Sequence, residues 1–294
     1  MKSAGPILTI LLAILVLWYG AAVWMNAQWT YDQAARAGTS VTFAQVVADT
    51  MVQDRPVLPA PHQVAAEMWK GLTAQKVTSK RSLVYHGYVT LTATFWGFAM
   101  GLGLGILMAV GIVHSRTLDR SLMPWAIISQ TIPIVAIAPM IVVLSNSAGL
   151  GDSLGVDNRL VSKTIIAAYL SYFPVLVGMI KGLRSPDRMQ LDLLDTYGAS
   201  RGQTFWKLRL PASMPYLFAS LKVAVAASLV GAIVGELPTG AVEGLGARML
   251  VGSQFGEPMI MWAALFAAAL LAGALILAVG QLERLANRRM GVRE

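Results

Sequence analysis

The chain has 294 residues, of which 56% are hydrophobic and only 13% charged, about half the charged share of an ordinary soluble domain. Its formal charge of +8 is scattered over short segments and accompanies no recognisable nucleic-acid module, which excludes nucleic acid as a partner and leaves topology as the use of the excess Lys and Arg. With no cysteine, disulfides, thiol catalysis and thiolate metal sites are excluded.

The first apolar run, about Pro6 to Met25, follows Lys2. A cleaved signal peptide would share the basic start, but the run is long, ends in bulky Trp18, Tyr19 and Trp24 and lacks a small-x-small site, so an uncleaved first membrane helix over residues 1–25 is expected. A polar segment over 26–87 comes next. Within it Leu58-Pro-Ala-Pro61 signals a helix start, and Val64, Met68 and Leu72 give His62–Leu72 one apolar face suited to the membrane interface.

Five further runs are each long enough to cross a bilayer: about Tyr88–Val113, Met123–Leu144, Val161–Ile180, Ala212–Leu237 and Met259–Leu282. They form a core over 88–289, followed by a short tail at 290–294. The expected fold is an all-α polytopic membrane bundle of about six transmembrane helices. Ionisable residues are nearly absent from the spans; Lys222 lies close enough to one end to snorkel. The missing buried carboxylates and histidines argue against a self-powered ion-coupled carrier.

Orientation follows from the basic residues. Lys2, Arg116, Arg120, Lys181, Arg184, Arg188, Arg201, Lys207, Arg209, Arg284, Arg288, Arg289 and Arg293 fall on one side, against Arg159, Lys163 and Arg248 in the two short loops of the other. The positive-inside rule then puts both termini in the cytoplasm. Gly97, Gly101, Gly105 and Ala109 recur every fourth residue, as do Ala227, Gly231 and Gly235. Such faces bring helix backbones close, either as static packing or as a sliding contact. Pro124, Pro133, Pro139 and Pro174 can kink their helices.

The cytoplasmic segment 181–211 is too long and too patterned for a plain connection. Pro186 can start a helix at Asp187 whose apolar side is Met189, Leu191, Leu193, Leu194 and Tyr197, and Gly198 fits its end. Ser200 fits the N-cap of a second short helix carrying Phe205, Trp206 and Leu208 before Leu210-Pro211 re-enters the membrane. Two helices about a glycine hinge are expected, one side against the bundle and the other presenting Asp192, Asp195, Arg201, Gln203 and Lys207.

Here the sequence resembles the permeases of binding-protein-dependent ABC importers. Their cytoplasmic motif is Glu-Ala-Ala, three residues, Gly, nine residues, then aliphatic-x-Leu-Pro. The chain has Asp192-Leu193-Leu194, Gly198 and Leu208-Arg209-Leu210-Pro211 at the same spacing, with Asp-Leu-Leu in place of Glu-Ala-Ala. Leu58-Pro-Ala-Pro61, Gly97-Phe98, Pro133, Ala138-Pro139, Gly198-Ala199-Ser200-Arg201, Leu210-Pro-Ala-Ser-Met-Pro215, Gly235-Glu236 and Gly244-Leu245-Gly246 make it most similar to the nitrate, sulfonate and taurine branch.

The resemblance implies a type I ABC importer permease fold in the bacterial inner membrane. Its coupling helix, with Asp192, Leu193, Leu194, Asp195, Gly198, Ala199, Ser200, Arg201, Lys207, Leu208, Leu210 and Pro211 as the implied contact residues, would dock on a cytoplasmic ABC ATPase dimer. A second permease copy or a related permease, membrane lipid and an extracytoplasmic solute-binding protein are the other implied partners, and the solute would be a sulfonate, nitrate or a pyrimidine-like compound. ATP and Mg would sit on the ATPase, since the chain has no phosphate-binding loop of its own; no cofactor or metal is expected on this chain. Glu236, Glu243, Glu257 and Arg248, between the last two spans, either line the pathway entrance or meet the binding protein, or are solvated loop charges. A membrane-embedded enzyme would need a cluster that isolated His62, His86 and His114 do not supply, and a passive channel leaves the 181–211 segment without a purpose.

Overall fold

The computed structural model describes residues 4–238, 240 and 243–289; Lys2, Arg293 and the 290–294 tail lie outside them. Regular structure among the described residues is entirely helical: α1 (Ala4–Ala37), α2 (Phe43–Thr50), α3 (Pro61–Trp69), α4 (Leu83–His114), α5 (Arg116–Ser129), α6 (Ile134–Ser147), α7 (Leu150–Leu154), α8 (Asn158–Leu183), α9 (Arg188–Thr196), α10 (Arg201–Thr204), α11 (Leu210–Glu236), α12 (Leu245–Gln254) and α13 (Pro258–Arg289). Among the described residues five helical stretches are long and apolar enough to cross a membrane, and a bent pair of shorter helices brings the number to six where the pair counts as one span.

Two compact units are present. The first contains residues up to His86 together with Ala247–Ala268, the second Gly87–Gly246 together with residues from Ala269 on. In the first unit α1 runs twelve residues past the expected end at Met25, because nothing breaks it before Gly38, whose φ is +65°. Asn26 is wholly buried; its side chain accepts the Val57 and Leu58 N–H groups at 2.8 and 3.1 Å and donates to the Leu58 carbonyl at 2.8 Å. A polar residue just beyond the apolar run therefore holds the returning chain. Trp18 adds a hydrogen bond to the Pro59 carbonyl at 3.0 Å and stacks on Phe266. Helix α3 starts at Pro61, and Gln63 reaches back to the Ala60 N–H at 2.9 Å.

The second unit is organised around α8. Its buried residues Tyr172, Val175, Leu176, Met179, Ile180 and Leu183 pack with Ala109 and Ile112 of α4, Ala126 of α5, and Leu217 and Ala224 of α11. Small residues permit this closeness. A Cβ on Gly101 would stand 2.1 Å from Ser171 Oγ and 3.0 Å from the Ala168 carbonyl, with Gly97 and Gly105 in the same row against Ala167 and Tyr172. On the opposite flank of α8, a Cβ on Gly231 would come within 2.7 Å of the Ala167 Cα, and one on Gly235 within 3.2 Å of Lys163. Lipid supplies little hydrophobic drive between helices, so such contact depends on van der Waals packing.

Two further elements differ from their sequence expectation. The run Met123–Leu144 is not one helix: α5 and α6 meet at 103° across Gln130–Pro133. Pro133 has no N–H and disfavours helical geometry at the residue before it, so α5 stops and α6 restarts with Pro133 as its N-cap. The second short helix of the 181–211 segment is likewise not separate. Arg201–Glu236 is one continuous span, in which a π-helical turn at Phe205–Arg209 joins α10 to α11. The Leu210 N–H reaches the Phe205 carbonyl five residues back, directly before Pro211, which has no N–H of its own to donate.

Candidate coupling surface and buried polar clusters

Helix α9 buries no residue, yet its apolar positions are divided. Leu191 and Leu194 are half-buried, whereas Met189, Leu193 and Tyr197 are exposed. These three are spaced four apart and form one outward row, so the outward face is apolar as well as charged, which corrects the expectation of a single inward apolar side. Gly198 has φ +69° and meets nothing within 4 Å, so its requirement is purely conformational. Ser200 caps α10 by accepting the Gln203 N–H at 3.3 Å, while the Gln203 side chain accepts the Ser200 N–H at 2.8 Å.

Between α9 and α10 an open cleft of about 470 Å³ is lined by Asp192, Asp195, Ala199, Arg201 and Arg209, with His114 at its back. Lys207 is exposed beside Trp206, and Leu208 and Leu210 are half-buried; Pro211 follows in the first turn of α11. Three contacts fasten this region to the unit. Arg209 donates to the Leu183 carbonyl at 3.2 Å, Arg184 pairs with Asp119 at 2.9 Å, and His114 meets Phe205 edge-on at 5.3 Å.

The far end of α11 holds a different arrangement. Glu236 is not a solvated loop charge: it is the last residue of α11 and is fully buried. One carboxylate oxygen accepts the Thr90 hydroxyl at 2.8 Å and lies 3.7 Å from Lys163 Nζ; the other accepts the Gly246 N–H at 2.6 Å. Thr90 Oγ1 in turn accepts the Leu245 N–H at 2.9 Å, and Lys163 donates to the Glu243 carbonyl at 3.2 Å. A Cβ on Gly244 would stand 2.1 Å from the carboxylate, so Gly244-Leu245-Gly246 lets the chain close over it. Lys163, which the sequence places in a short loop, is 6% exposed in its side chain. Thr90 had no signal in the sequence.

Arg248 and Glu257 lie in the first unit. They line a cleft of about 420 Å³ with Glu67, Lys70 and Arg81, a mixture of signs. Lys222 does not merely snorkel: it pairs with Glu283 at 2.5 Å. A third polar group of the second unit sits at the break between α5 and α6. Ser129 Oγ is 2.5 Å from the Tyr172 hydroxyl, the Tyr169 hydroxyl donates to the Ser129 carbonyl, and the Gln130 amide donates to Ser129 Oγ at 3.2 Å. The signal available for it was three polar residues, Ser129-Gln130-Thr131, in an apolar run two residues before Pro133.

Long apolar helices, a bent pair and an exposed loop platform define a multi-pass membrane protein of the transport-permease class. Residues 101–292 match the family described as binding-protein-dependent transport system inner membrane component, and the chain belongs to that family of ABC transporter permeases. It is 32% identical to the riboflavin transport system permease protein RibX of Chloroflexus aurantiacus, over 79% of this chain and 80% of that one. It is 31% identical to the formylaminopyrimidine transport permease protein ThiX of Halalkalibacterium halodurans, over 81% and 86%. The taurine transport system permease protein TauC of Escherichia coli shares 25% over 77% and 78%. In fold the chain is similar to the MetNI methionine ABC transporter in its inward-facing form, with TM-score 0.51, 18% identity and coverage of 76% and 95%.

Proposed function

We propose that the chain is the membrane permease of an importer driven by a separate cytoplasmic ATPase dimer, working with a second permease copy or a related permease and with an extracytoplasmic solute-binding protein. The exposed row Met189, Leu193 and Tyr197 beside the Asp192–Arg201 cleft carries this reading. An apolar row next to fixed charges suits a protein groove. Burying each such side chain is worth about 1.5–3 kcal/mol, so the row adds favourably to a dock whose net strength also depends on the charged contacts beside it. Both termini and α9 then face the cytoplasm, while α2 and α3 face outside.

The continuity of one span supports alternating access. Arg201–Glu236 is one helical span of 36 residues, ~54 Å at 1.5 Å per residue. A push at Arg201 reaches Glu236 without crossing a flexible loop, and there Glu236 grips α4, α8 and the Gly244–Gly246 turn. The ATPase thus acts at one end of a lever whose other end holds the outer part of the bundle. The solute is assigned to the nitrogen-heterocycle class of the riboflavin and formylaminopyrimidine transporters, both more similar to this chain than the taurine permease.

Purification of the tagged chain in mild detergent tests the reading. A soluble ATPase should co-purify at a fixed ratio and be lost on Leu193→Asp, an exposed change that leaves the fold intact. Recovery of the chain alone, under conditions that retain other ABC complexes, would overturn it.

A further inference from the structure

The break between α5 and α6 lies deep in the membrane. Arg184 at the end of α8 pairs with Asp119 in the first turn of α5, so both helices are measured from one face. From Arg116, Ser129 is ~20 Å along α5, and from Leu183, Tyr172 and Tyr169 are ~16 and ~21 Å along α8, at 1.5 Å per residue. A hydrocarbon layer is ~30 Å thick, so the break and the two tyrosines sit inside it, between about half and two-thirds of the way across.

At that depth Gln130–Pro133 leaves the helical ladder. The Gln130 and Thr131 N–H groups turn back to Ile127 and Ile128, and the ladder resumes only with Ala136 on Pro133. Thr131, Ile132 and Pro133 are nevertheless exposed on this chain. Irregular backbone cannot face lipid tails, because each unpaired peptide group there costs several kcal/mol. It must face water or another protein surface. The polar side chains gathered at the same place favour water: Ser129, Gln130 and Thr131 from the break, Tyr169 and Tyr172 from α8.

We infer that the α5–α6 break lines the translocation pathway inside the hydrocarbon layer and is the solute-contacting station of this permease, reading an uncharged, hydrogen-bonding ring rather than a sulfonate anion. This deepens the proposed importer function and rests on it. The chemistry is the reason for the solute class. Ser129 and Tyr172 bond each other and Tyr169 bonds the Ser129 carbonyl, which fixes the two tyrosine rings. Gln130 is half-buried and spends one amide N–H on Ser129, which leaves its carbonyl and second N–H to address a solute with alternating donors and acceptors. No Lys or Arg belongs to the cluster, and the basic residues within the apolar runs of this unit, Lys163 and Lys222, are engaged with Glu236 and Glu283. An anion at that depth would have no counter-charge.

Cysteine accessibility in the complete transporter tests this, since the chain has no native cysteine. Membrane vesicles carrying Thr131→Cys are treated with a membrane-impermeant thiol reagent and compared with Leu17→Cys on the exposed apolar face of α1. Thr131→Cys should label about tenfold faster, as a water-facing position does. Riboflavin or formylaminopyrimidine, presented with the binding protein, should slow the labelling, and taurine should not. Gln130→Leu should raise the uptake KM for the protecting compound about tenfold, the loss of one or two hydrogen bonds, while the binding protein's own affinity stays constant.

Labelling no faster than at Leu17→Cys, or spontaneous disulfide linkage between two Thr131→Cys chains, would overturn the pathway assignment, although ATP-dependent uptake would still uphold the importer reading. Labelling that taurine blocks, or that none of the three compounds blocks, would overturn the solute assignment. Absence of ATP-dependent uptake for all three compounds together with loss of the ATPase partner would instead sink the importer reading itself.

Discussion

Replacing Glu236 by alanine tests the claim that one buried carboxylate holds the end of α11 to α4, α8 and the Gly244–Gly246 turn. The side chains of Glu236 and Lys163 are 0% and 6% exposed, so removing the acid takes a carboxylate away from a buried ammonium that also donates to the Glu243 carbonyl at 3.2 Å. Breaking one partner of a buried pair costs about 3–5 kcal/mol, and the orphaned Gly246 N–H would cost about 1–3 kcal/mol if it stayed dry. These overlap, because the turn can relax and admit water, so the expected loss is about 4 kcal/mol. Glu236→Gln keeps an acceptor for Thr90 and should lose about half of that. Lys163→Met alone should be costly, but the double variant Glu236→Ala with Lys163→Met should fall short of the summed single losses by about 2–3 kcal/mol. Denaturation by sodium dodecyl sulfate of the detergent-purified protein gives these values, and protease cutting between Leu237 and Glu243 reports the turn directly. Strict additivity of the two substitutions, with the turn still protected in Glu236→Ala, would refute the argument.

Gly101→Val should destabilise by at least about 2–3 kcal/mol, because its Cβ alone meets Ser171 and the α8 backbone, whereas Gly103→Ala, with nothing within 4 Å, should be neutral or gain up to about 1 kcal/mol; the yield of monodisperse protein and the denaturation midpoint separate the two. Gly198→Val should cost about 1–2 kcal/mol for a left-handed β-branched residue and reduce transport, measured as solute uptake and retained ATPase, while Gly198→Asn keeps most of both. Lys222→Met should cost about 0.5–2 kcal/mol, the range for a polar contact between membrane helices; the swap Lys222→Glu with Glu283→Lys should restore most of the loss in the same assay, and no recovery would show that the pair is not what matters there.

Much of the molecule was open to a reader of the sequence, because a bilayer imposes length and composition on whatever crosses it. The runs at Tyr88–Val113, Val161–Ile180, Ala212–Leu237 and Met259–Leu282 each became a long helix, since a chain in lipid must pair its peptide groups internally. Pro61, Asp187, Gly198 and Ser200 marked local turns and caps through chemistry that acts within a few residues. The spacing from Asp192 to Pro211 identified the family for the same reason: it is a linear pattern.

The tertiary structure decided what depends on neighbours distant in the chain. Thr90, Lys163 and Glu236 are separated by up to 146 positions, and hydropathy alone treats each as a charge or hydroxyl near the end of a span. Only packing of α4 and α11 onto α8 turns them into one buried network. The same holds for the break at Gln130–Pro133. An apolar run interrupted by three polar residues and a proline reads equally well as a kinked helix; the 103° angle and the seating of Ser129 against Tyr169 and Tyr172 are seen only with α8 in place. Composition specifies that a segment enters the membrane; which of its polar atoms find partners there is settled by the helices packed beside it.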